Sequence, residues 1–360
     1  LLQPLNAARL FTSALTEKTT DNDIRPLINH LDSSLNAVEG LLDGLLEISK
    51  LDAGVLRPDL RDFALMDLLT DLDHEFTAIA RDQGIAFKML PTKAIVHSDP
   101  KLLRRVLQNF ISNAIRYTDQ GRVLVGCRIS GPDRITLQVY DTGCGISEHK
   151  LDEIFIEFKQ LNQKSEANSK EQGLGLGLAI VERICRLLDH SLTVNSTPGK
   201  GSVFSIGLPL STKKHLRKKS ALAAKKTPAN RLVFADLHIL CIDNDPDILT
   251  GMQALLSNWG CRVTCCRALD DVAGTSANGK PDIILADYHL DKGKNGIDAL
   301  NTLQIRMGGD IPGIVISADY TEDVKRQAEE HGYKFLRKPL KAAALRALIN
   351  SQVIYQRPKL

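Results

Sequence analysis

Three short motifs follow one another in the middle of the chain, and their order constrains the fold more than any other feature. They are residues 108–114 (QNFISNA), 141–146 (DTGCGI) and 173–178 (GLGLGL). Asn109 and Asn113 are four residues apart, so both amides are expected on one face of a helix. The second motif follows an apolar strand pattern, and the third leads into a helical pattern. The set predicts a cleft made from a helix, a tight turn and a glycine-rich segment.

Each motif carries side chains with a defined chemistry. The amide oxygens of Asn109 and Asn113 are hard ligands that suit Mg²⁺ bridging substrate phosphates. A carboxylate at Asp141 can accept a hydrogen bond from an exocyclic amine such as that of adenine. Gly143 and Gly145 would let the backbone pass close to a flat ring. If each motif is taken alone, simpler interpretations remain. The first motif could be a surface helix with incidental asparagines, and the second could be a glycine-rich turn without a ligand.

The third motif is a candidate phosphate site. Gly173, Gly175 and Gly177 would leave backbone N–H groups free at the start of a predicted helix, residues 181–188. The polar stretch before it, residues 160–172, predicts a mobile lid, and a loop without a role is the alternative. Arg116 and Tyr117 follow Asn113 on the next helical turn and could reach a phosphate or a sugar.

Composition sets the broad class. The chain has 360 residues, 43% of them hydrophobic, which favours two or three soluble domains. Its net charge of +3 gives no reason to expect a nucleic-acid partner. No apolar run approaches the ~20 residues that span a bilayer. Seven scattered cysteines without a CxxC pair favour a reducing cytoplasm. The sequence starts at Leu1, so a sensor or membrane anchor is expected, if anywhere, upstream.

The flanking segments have patterns of their own. Residues 1–56 predict two helices, and apolar positions three or four apart in residues 24–45 predict a bundle seam that two chains would complete as a four-helix dimer. Residues 212–234 are rich in Lys and Arg and lack acids. They predict a solvated linker, with a basic patch for an acidic partner as the alternative.

Residues 235–357 alternate short apolar strands with helical patterns. The predicted strands, at 239–242, 283–286, 313–317 and 334–336, imply a doubly wound parallel sheet. Asp243, Asp287, Ser317 and Lys338 stand at or just beyond their carboxyl ends, where such sheets place their sites. The alternative is that these four are ordinary polar loop residues. Their occurrence at the ends of several strands disfavours that alternative.

Residues 57–211 resemble the catalytic domain of histidine kinases, within the ATPase superfamily that includes gyrase and Hsp90. The three motifs carry the resemblance, together with Phe155, Phe158 and residues 197–204 (TPGKGSVF). It implies an α+β sandwich that binds ATP and Mg²⁺. Asn113 would hold the Mg²⁺ with Asn109 beside it, Asp141 would read the adenine, and the third glycine motif would shape a lid hinge near the phosphates.

Residues 235–357 resemble a response-regulator receiver domain with a flavodoxin-like α/β fold. The resemblance makes Asp287 the phosphoacceptor and gives Lys338 and Ser317 supporting roles. It implies a receiver Mg²⁺ held by Asp243, Asn244 and Asp287, and a cis peptide before the proline that follows Lys338. Asn244 stands where a second acid is usual, so weaker Mg²⁺ binding is expected.

Residues 1–6 (LLQPLN) resemble the end of the phosphoacceptor box of the kinase helices, His-acid-x-x-x-Pro-Leu. In that register the histidine would stand two residues before Leu1. His30 lacks the Pro-Leu context and is not a convincing substitute. Gln3 could orient a water against a phosphoryl group and so contribute phosphatase activity, with a plain polar helix residue as the alternative.

Together the resemblances imply the cytoplasmic part of a hybrid two-component sensor histidine kinase. It would phosphorylate an upstream histidine, pass the group to Asp287, dimerise through residues 1–56, and serve a downstream phosphotransfer protein or response regulator. Membrane attachment would come only from an upstream region. A non-catalytic ATP-binding scaffold and a phosphatase-dominant regulator are the alternatives.

Overall fold

The computed structural model describes residues 2–19, 21, 23–159, 175–211, 234, 237–269, 271, 272, 279–290, 295–318 and 322–354. The predicted lid, Gly173 and all of the predicted linker except Phe234 lie outside these residues. The chain divides into two compact units, one of Leu1–Glu39 with Ala224–Leu360 and one of Gly40–Ala223. Among the described residues, no helix is both long enough and apolar enough to cross a membrane.

The N-terminal segment forms the two predicted helices, α1 (Leu2–Lys18) and α2 (Ile24–Asp52). The boundary between the compact units falls within α2. Half of the Leu, Ile and Val side chains along α2 are exposed. Ile28 is buried, whereas the side chains of Leu27, Leu31 and Val38 are 62%, 54% and 44% exposed.

The second unit is a layer of helices on a sheet, as predicted. Its elements are β1 (Arg61–Ala64), α3 (Leu65–Asp82), β2 (Ala86–Met89), β3 (Ile95–Ser98), α4 (Pro100–Arg116), β4 (Arg122–Ile129), β5 (Arg134–Asp141), α5 (Gly177–Leu187), β6 (Ser191–Thr197) and β7 (Gly201–Pro209). Within the described residues, five strands form a sheet in the order β2-β4-β5-β7-β6, with only β2 and β4 parallel. Alternate residues of β5 are buried in a shared core with α3, α4 and α5.

The helix ends position the motifs. Asp99 caps α4 because its side chain accepts hydrogen bonds from the N–H groups of Lys101 and Leu102, and Pro100 fits the first turn. The predicted start of α5 at residue 181 was wrong, since the helix begins at Gly177. Ala179 and Ile180 are buried and extend the apolar face of the helix toward its N-terminus.

The C-terminal domain is a parallel sheet with helices on both faces. Its elements are β8 (His238–Ile242), α6 (Pro246–Asn258), β9 (Arg262–Cys266), β10 (Ile283–Asp287), α7 (Gly296–Met307), β11 (Gly313–Ser317), α8 (Glu322–Glu330), β12 (Lys334–Arg337) and α9 (Ala342–Ile354). The described strands have the order β12-β11-β10-β8-β9 and pair in parallel throughout. This confirms the doubly wound prediction.

The first helix belongs to the same compact unit as this sheet. Ala7, Leu10 and Ala14 recur on one face of α1 and are buried in the core that contains α6. A Cβ atom added to Gly251 would lie 2.8 Å from the Cβ atom of Leu10, so the two helices are in close contact. The Nδ2 atom of Asn258 donates a hydrogen bond to the carbonyl oxygen of Ala14 at 3.0 Å. Helix α1 therefore covers α6.

Candidate functional site

Asp141 is a buried and oriented carboxylate at the end of β5. Its Oδ1 atom accepts hydrogen bonds from the N–H of Gly143 at 2.8 Å and of Ser202 at 3.2 Å. Burial raises the pKa of Asp141, and the two backbone hydrogen bonds oppose that rise. Sequence reasoning assigned no separate role to Ser202, which lies within residues 197–204 near the start of β7. One oxygen of the carboxylate is thus held by the backbone, and the orientation of the other is fixed with it.

The glycines of the second motif allow close backbone packing. A Cβ atom on Gly143 would lie 2.2 Å from the carbonyl oxygen of Tyr117, at the end of α4. Gly145 has φ +68°, and a Cβ atom there would lie 2.1 Å from the carbonyl oxygen of Thr197. The turn is therefore held between the end of α4 and residues 197–199.

The first and third motifs are in contact. Asn109 and Asn113 are half-buried on one face of α4. A Cβ atom on Gly177, the first residue of α5, would lie 2.3 Å from the Oδ1 atom of Asn109. The Nδ2 atom of Asn109 donates to the carbonyl oxygen of Arg105 within α4 at 2.9 Å, which fixes the orientation of the amide.

The remaining predicted residues of this cleft lie at its margins. Arg116 is half-buried in the last turn of α4, and Tyr117, which follows it, is 39% exposed. Gly175 has φ +70°, and its carbonyl oxygen accepts a hydrogen bond from the N–H of Phe158 at 3.0 Å. That bond joins the described residues on either side of residues 160–174. Their roles toward phosphate, sugar and lid stay predictions.

The strand-end residues of the C-terminal domain converge as predicted. The Nζ atom of Lys338 lies 2.9 Å from the Oδ2 atom of Asp243 and 3.0 Å from the Oδ1 atom of Asp287. Ser317 is fully buried at the end of β11, and its carbonyl oxygen accepts the N–H of Lys338 at 2.8 Å. The peptide between Lys338 and Pro339 is cis, which confirms that expectation.

The charges of this cluster suit a cation. Burial raises the pKa of Asp287, Asp243 adds to the rise, and Lys338 opposes it. Across the part of the chain that the structure describes, no three His, Cys, Asp or Glu side chains converge as a metal cluster. The available donors are therefore two carboxylates and the predicted amide of Asn244, an all-oxygen set that fits Mg²⁺.

Asp245 makes two hydrogen bonds at the start of α6. Its Oδ1 atom caps α6 by accepting the N–H of Asp247 at 2.9 Å, and its own N–H donates to the Oδ1 atom of Asp243 at 2.9 Å. Asp245 therefore caps α6 and helps to orient the carboxylate of Asp243. His289, two residues beyond Asp287, is exposed, with its ring against that of Tyr288.

Helix α1 reaches the loop that carries Lys338. The Oδ1 atom of Asn6 accepts a hydrogen bond from the N–H of Leu340, two residues beyond Lys338, at 2.7 Å. Both residues are buried. Sequence reasoning missed Asn6, because no local pattern pairs residues this far apart. Gln3, one turn earlier, is exposed.

Comparisons with known families agree with this arrangement. Residues 98–212 match the family described as "Histidine kinase-, DNA gyrase B-, and HSP90-like ATPase", and residues 239–350 match the "Response regulator receiver domain" family. The chain therefore combines an ATPase domain of the first family with a receiver domain of the second. Each match includes the predicted residues of its own site: Asn109, Asn113 and Asp141 in the first, and Asp243, Asp287 and Lys338 in the second.

Two relatives align with most of this chain. The sensory/regulatory protein RpfC of Xanthomonas campestris pv. campestris is 26% identical over 374 residues, which cover 95% of this chain and 51% of RpfC. The autoinducer 2 sensor kinase/phosphatase LuxQ of Vibrio vulnificus is 27% identical, over 95% of this chain and 40% of LuxQ. The chain thus spans about half the length of these relatives or less.

A solved structure has the same fold. Full-length ShkA, determined in complex with AMPPNP, aligns with all of this chain and 71% of its own length, with a TM-score of 0.51 and 22% identity. At that identity the likeness concerns the fold alone.

Proposed function

We propose that this chain is the cytoplasmic core of a sensor kinase that moves the γ-phosphate of ATP to a histidine and then to Asp287. The observation that carries the proposal is the buried cluster of Asp243, Asp287 and Lys338 in a chain that also holds the ATPase motifs in contact with one another. A purely structural role would not require two buried carboxylates to share one ammonium.

At the nucleotide end, Asp141 would accept a hydrogen bond from the exocyclic amine of adenine through its Oδ2 atom. Its Oδ1 atom is already held by two backbone N–H groups, so the carboxylate is preorganised for that bond. Asn113, with Asn109 beside it, would hold Mg²⁺, which neutralises phosphate charge when bound. Gly177 lies against Asn109, so the N–H groups at the start of α5 would be available to the phosphates.

At the receiver end, an oxygen of Asp287 would attack the phosphorus of the phosphohistidine. The new P–O bond forms as the P–N bond breaks, and the electron pair returns to the imidazole. Asp243 and Asn244 would hold Mg²⁺ with Asp287, and the ion would neutralise the phosphoryl oxygens. Lys338 would leave its carboxylate partners to pair with the product, and Ser317 would donate a hydrogen bond to it.

The contacts of α1 support transfer from this helix to the receiver. Residues 1–6 resemble the end of a phosphoacceptor box, and Asn6 bonds to the loop that carries Lys338. A histidine two residues before Leu1 would lie seven positions from Asn6, about 10 Å along a helix axis. The helix that would carry the donor is thus already held beside the acceptor domain.

The exposed apolar face of α2 supports a homodimer. Ile24, Leu27, Leu31, Val38 and Leu45 are each more than 40% exposed in the single chain. A second copy would bury them as a four-helix bundle. Light scattering should show a dimer for the native chain and a monomer for Leu31→Glu, whereas Ile305→Glu, which alters an 83% exposed side chain on the receiver, should leave the dimer intact.

The kinase proposal is tested by incubating the full-length protein with ATP labelled at the γ-phosphate. Incorporated label supports a kinase. Intact ATP binding without any label would favour the non-catalytic scaffold. Phosphoryl transfer to a purified histidine phosphotransfer protein or response regulator would then identify the downstream partner.

A phosphatase contribution is a second candidate, favoured by the exposed position of Gln3 on α1 and by the kinase/phosphatase description of LuxQ. The lifetime of a phosphorylated partner should lengthen when Gln3→Ala replaces the native protein. An unchanged lifetime would contradict a phosphatase role for Gln3.

A further inference from the structure

Two cysteines of the receiver domain face each other across neighbouring strands. Cys241 of β8 and Cys265 of β9 are directly opposite in the parallel register. Opposed residues of a parallel pair point to the same face of the sheet, and strands lie about 4.8 Å apart. That spacing falls within the range of about 4.4–6.8 Å between Cα atoms that a disulfide needs.

The two cysteines differ in environment. The Sγ atom of Cys265 donates a hydrogen bond to the carbonyl oxygen of Leu249 at 3.6 Å. Cys241 is 2% exposed, whereas Cys265 is half-buried on the edge strand β9. The neighbouring Cys241 thiol lowers the pKa of Cys265, and Cys265 is also the more accessible of the two sulfurs.

We propose that Cys241 and Cys265 are a redox-active pair that forms a reversible disulfide on exposure to hydrogen peroxide. The Cys265 thiolate attacks one peroxide oxygen, the O–O bond breaks, and the departing hydroxide takes up a proton as water. The sulfur of Cys241 then attacks the Cys265 sulfenic acid. The S–S bond forms, the S–O bond breaks, and the Cys241 proton leaves with the hydroxide as a second water. Two electrons pass from the sulfurs to the peroxide.

The disulfide would constrain one helix in particular. Residues 241–265 include the whole of α6, Pro246–Asn258, so the bond closes a loop around it. Cross-linking a loop reduces the freedom of its open states. Amides of α6 should therefore exchange with solvent several-fold more slowly after oxidation. This expectation does not depend on the proposed phosphotransfer.

The direct test is a peptide map of the full chain after peroxide treatment, alkylation and digestion. We expect a peptide pair joined through Cys241 and Cys265 that dithiothreitol separates. Cys265→Ser should abolish the pair. Cys266→Ser is the matched control and should retain it, because Cys266 is opposite Ile242 and contributes to the core on the other face of the sheet.

Two results on the native protein would overturn the proposal without relying on any variant. One is Cys265 oxidised to sulfinic or sulfonic acid while Cys241 stays alkylated. The other is Cys241 linked to Cys261, a buried cysteine that precedes β9. If the joined peptide pair forms but the amides of α6 do not exchange more slowly, the disulfide is supported and the proposed constraint on α6 is refuted.

Discussion

Replacing Asp141 with asparagine isolates the hydrogen bond that we propose for adenine. Asparagine keeps an oxygen that can accept the N–H groups of Gly143 and Ser202, which lie 2.8 and 3.2 Å from the Oδ1 atom of Asp141. The local backbone should therefore be retained. The second oxygen becomes an NH₂ group, which can only donate and would face the donating amine of adenine.

The magnitude follows from the loss of one charge-assisted hydrogen bond. Such bonds contribute about 1.5–3 kcal/mol, so Asp141→Asn should weaken ATP binding about 10- to 100-fold. GTP has a carbonyl where ATP has the amine, and the new NH₂ group can donate to it. The preference of the native protein for ATP over GTP should therefore shrink or disappear in the variant.

Calorimetric titration with both nucleotides measures these affinities. Asp189→Asn is the matched control, since Asp189 is exposed and has φ 53°, a conformation that asparagine tolerates. Burial raises the pKa of Asp141. ATP affinity of the native protein should accordingly fall with decreasing pH, beginning above the usual titration range of an aspartate, and the variant should lack that dependence. Unchanged ATP affinity and nucleotide preference in Asp141→Asn, with melting temperature preserved, would refute the role.

Three further substitutions test other contacts. Gly177→Ala places a methyl group 2.3 Å from the Oδ1 atom of Asn109 and should weaken Mg²⁺-ATP binding at least tenfold. Gly131→Ala is the control, because its methyl group would lie in open space and should leave the affinity unchanged. Equal affinities in the two variants would contradict a nucleotide site between Asn109 and Gly177. Lys338→Met leaves two buried carboxylates without their ammonium, at a cost of about 3–5 kcal/mol. The melting temperature of this variant should fall, and Mg²⁺ should restore part of the loss. If Mg²⁺ raises the melting temperature of the variant no more than that of the native protein, the cation site is contradicted. Asn244→Asp adds a charge next to that site and should tighten Mg²⁺ binding to the receiver, measured by calorimetry. An unchanged affinity would remove Asn244 from the ligand set.

Much of the site could be predicted because its residues occupy defined positions on regular elements. Asp99 followed by proline predicts the start of α4, and the spacing of Asn109 and Asn113 follows from helix geometry. Asp243 and Asp287 converge because parallel strands bring their carboxyl ends to one edge of a sheet. In each case local periodicity determines where the side chain lies.

The features that sequence missed depend on contacts between distant residues. Strand β9 is half-exposed at the edge of its sheet, so it lacks the continuous apolar run that revealed the central strands. The hydrogen bond from Leu340 to Asn6 joins opposite ends of the chain. The burial of Leu10 on α6 could not be read from α1, whose apolar face fits a dimer seam equally well.

The chemical location of the transferred phosphate tests the central claim most directly. The full-length protein and its Asp287→Asn variant would be incubated with γ-labelled ATP and Mg²⁺. The label would be assigned by its stability to hydroxylamine and by mass spectrometry. We expect label on Asp287 in the native protein, and label confined to the upstream histidine in the variant. Label that never reaches Asp287, while the histidine is phosphorylated and Mg²⁺ is bound at the receiver, would contradict transfer within this chain.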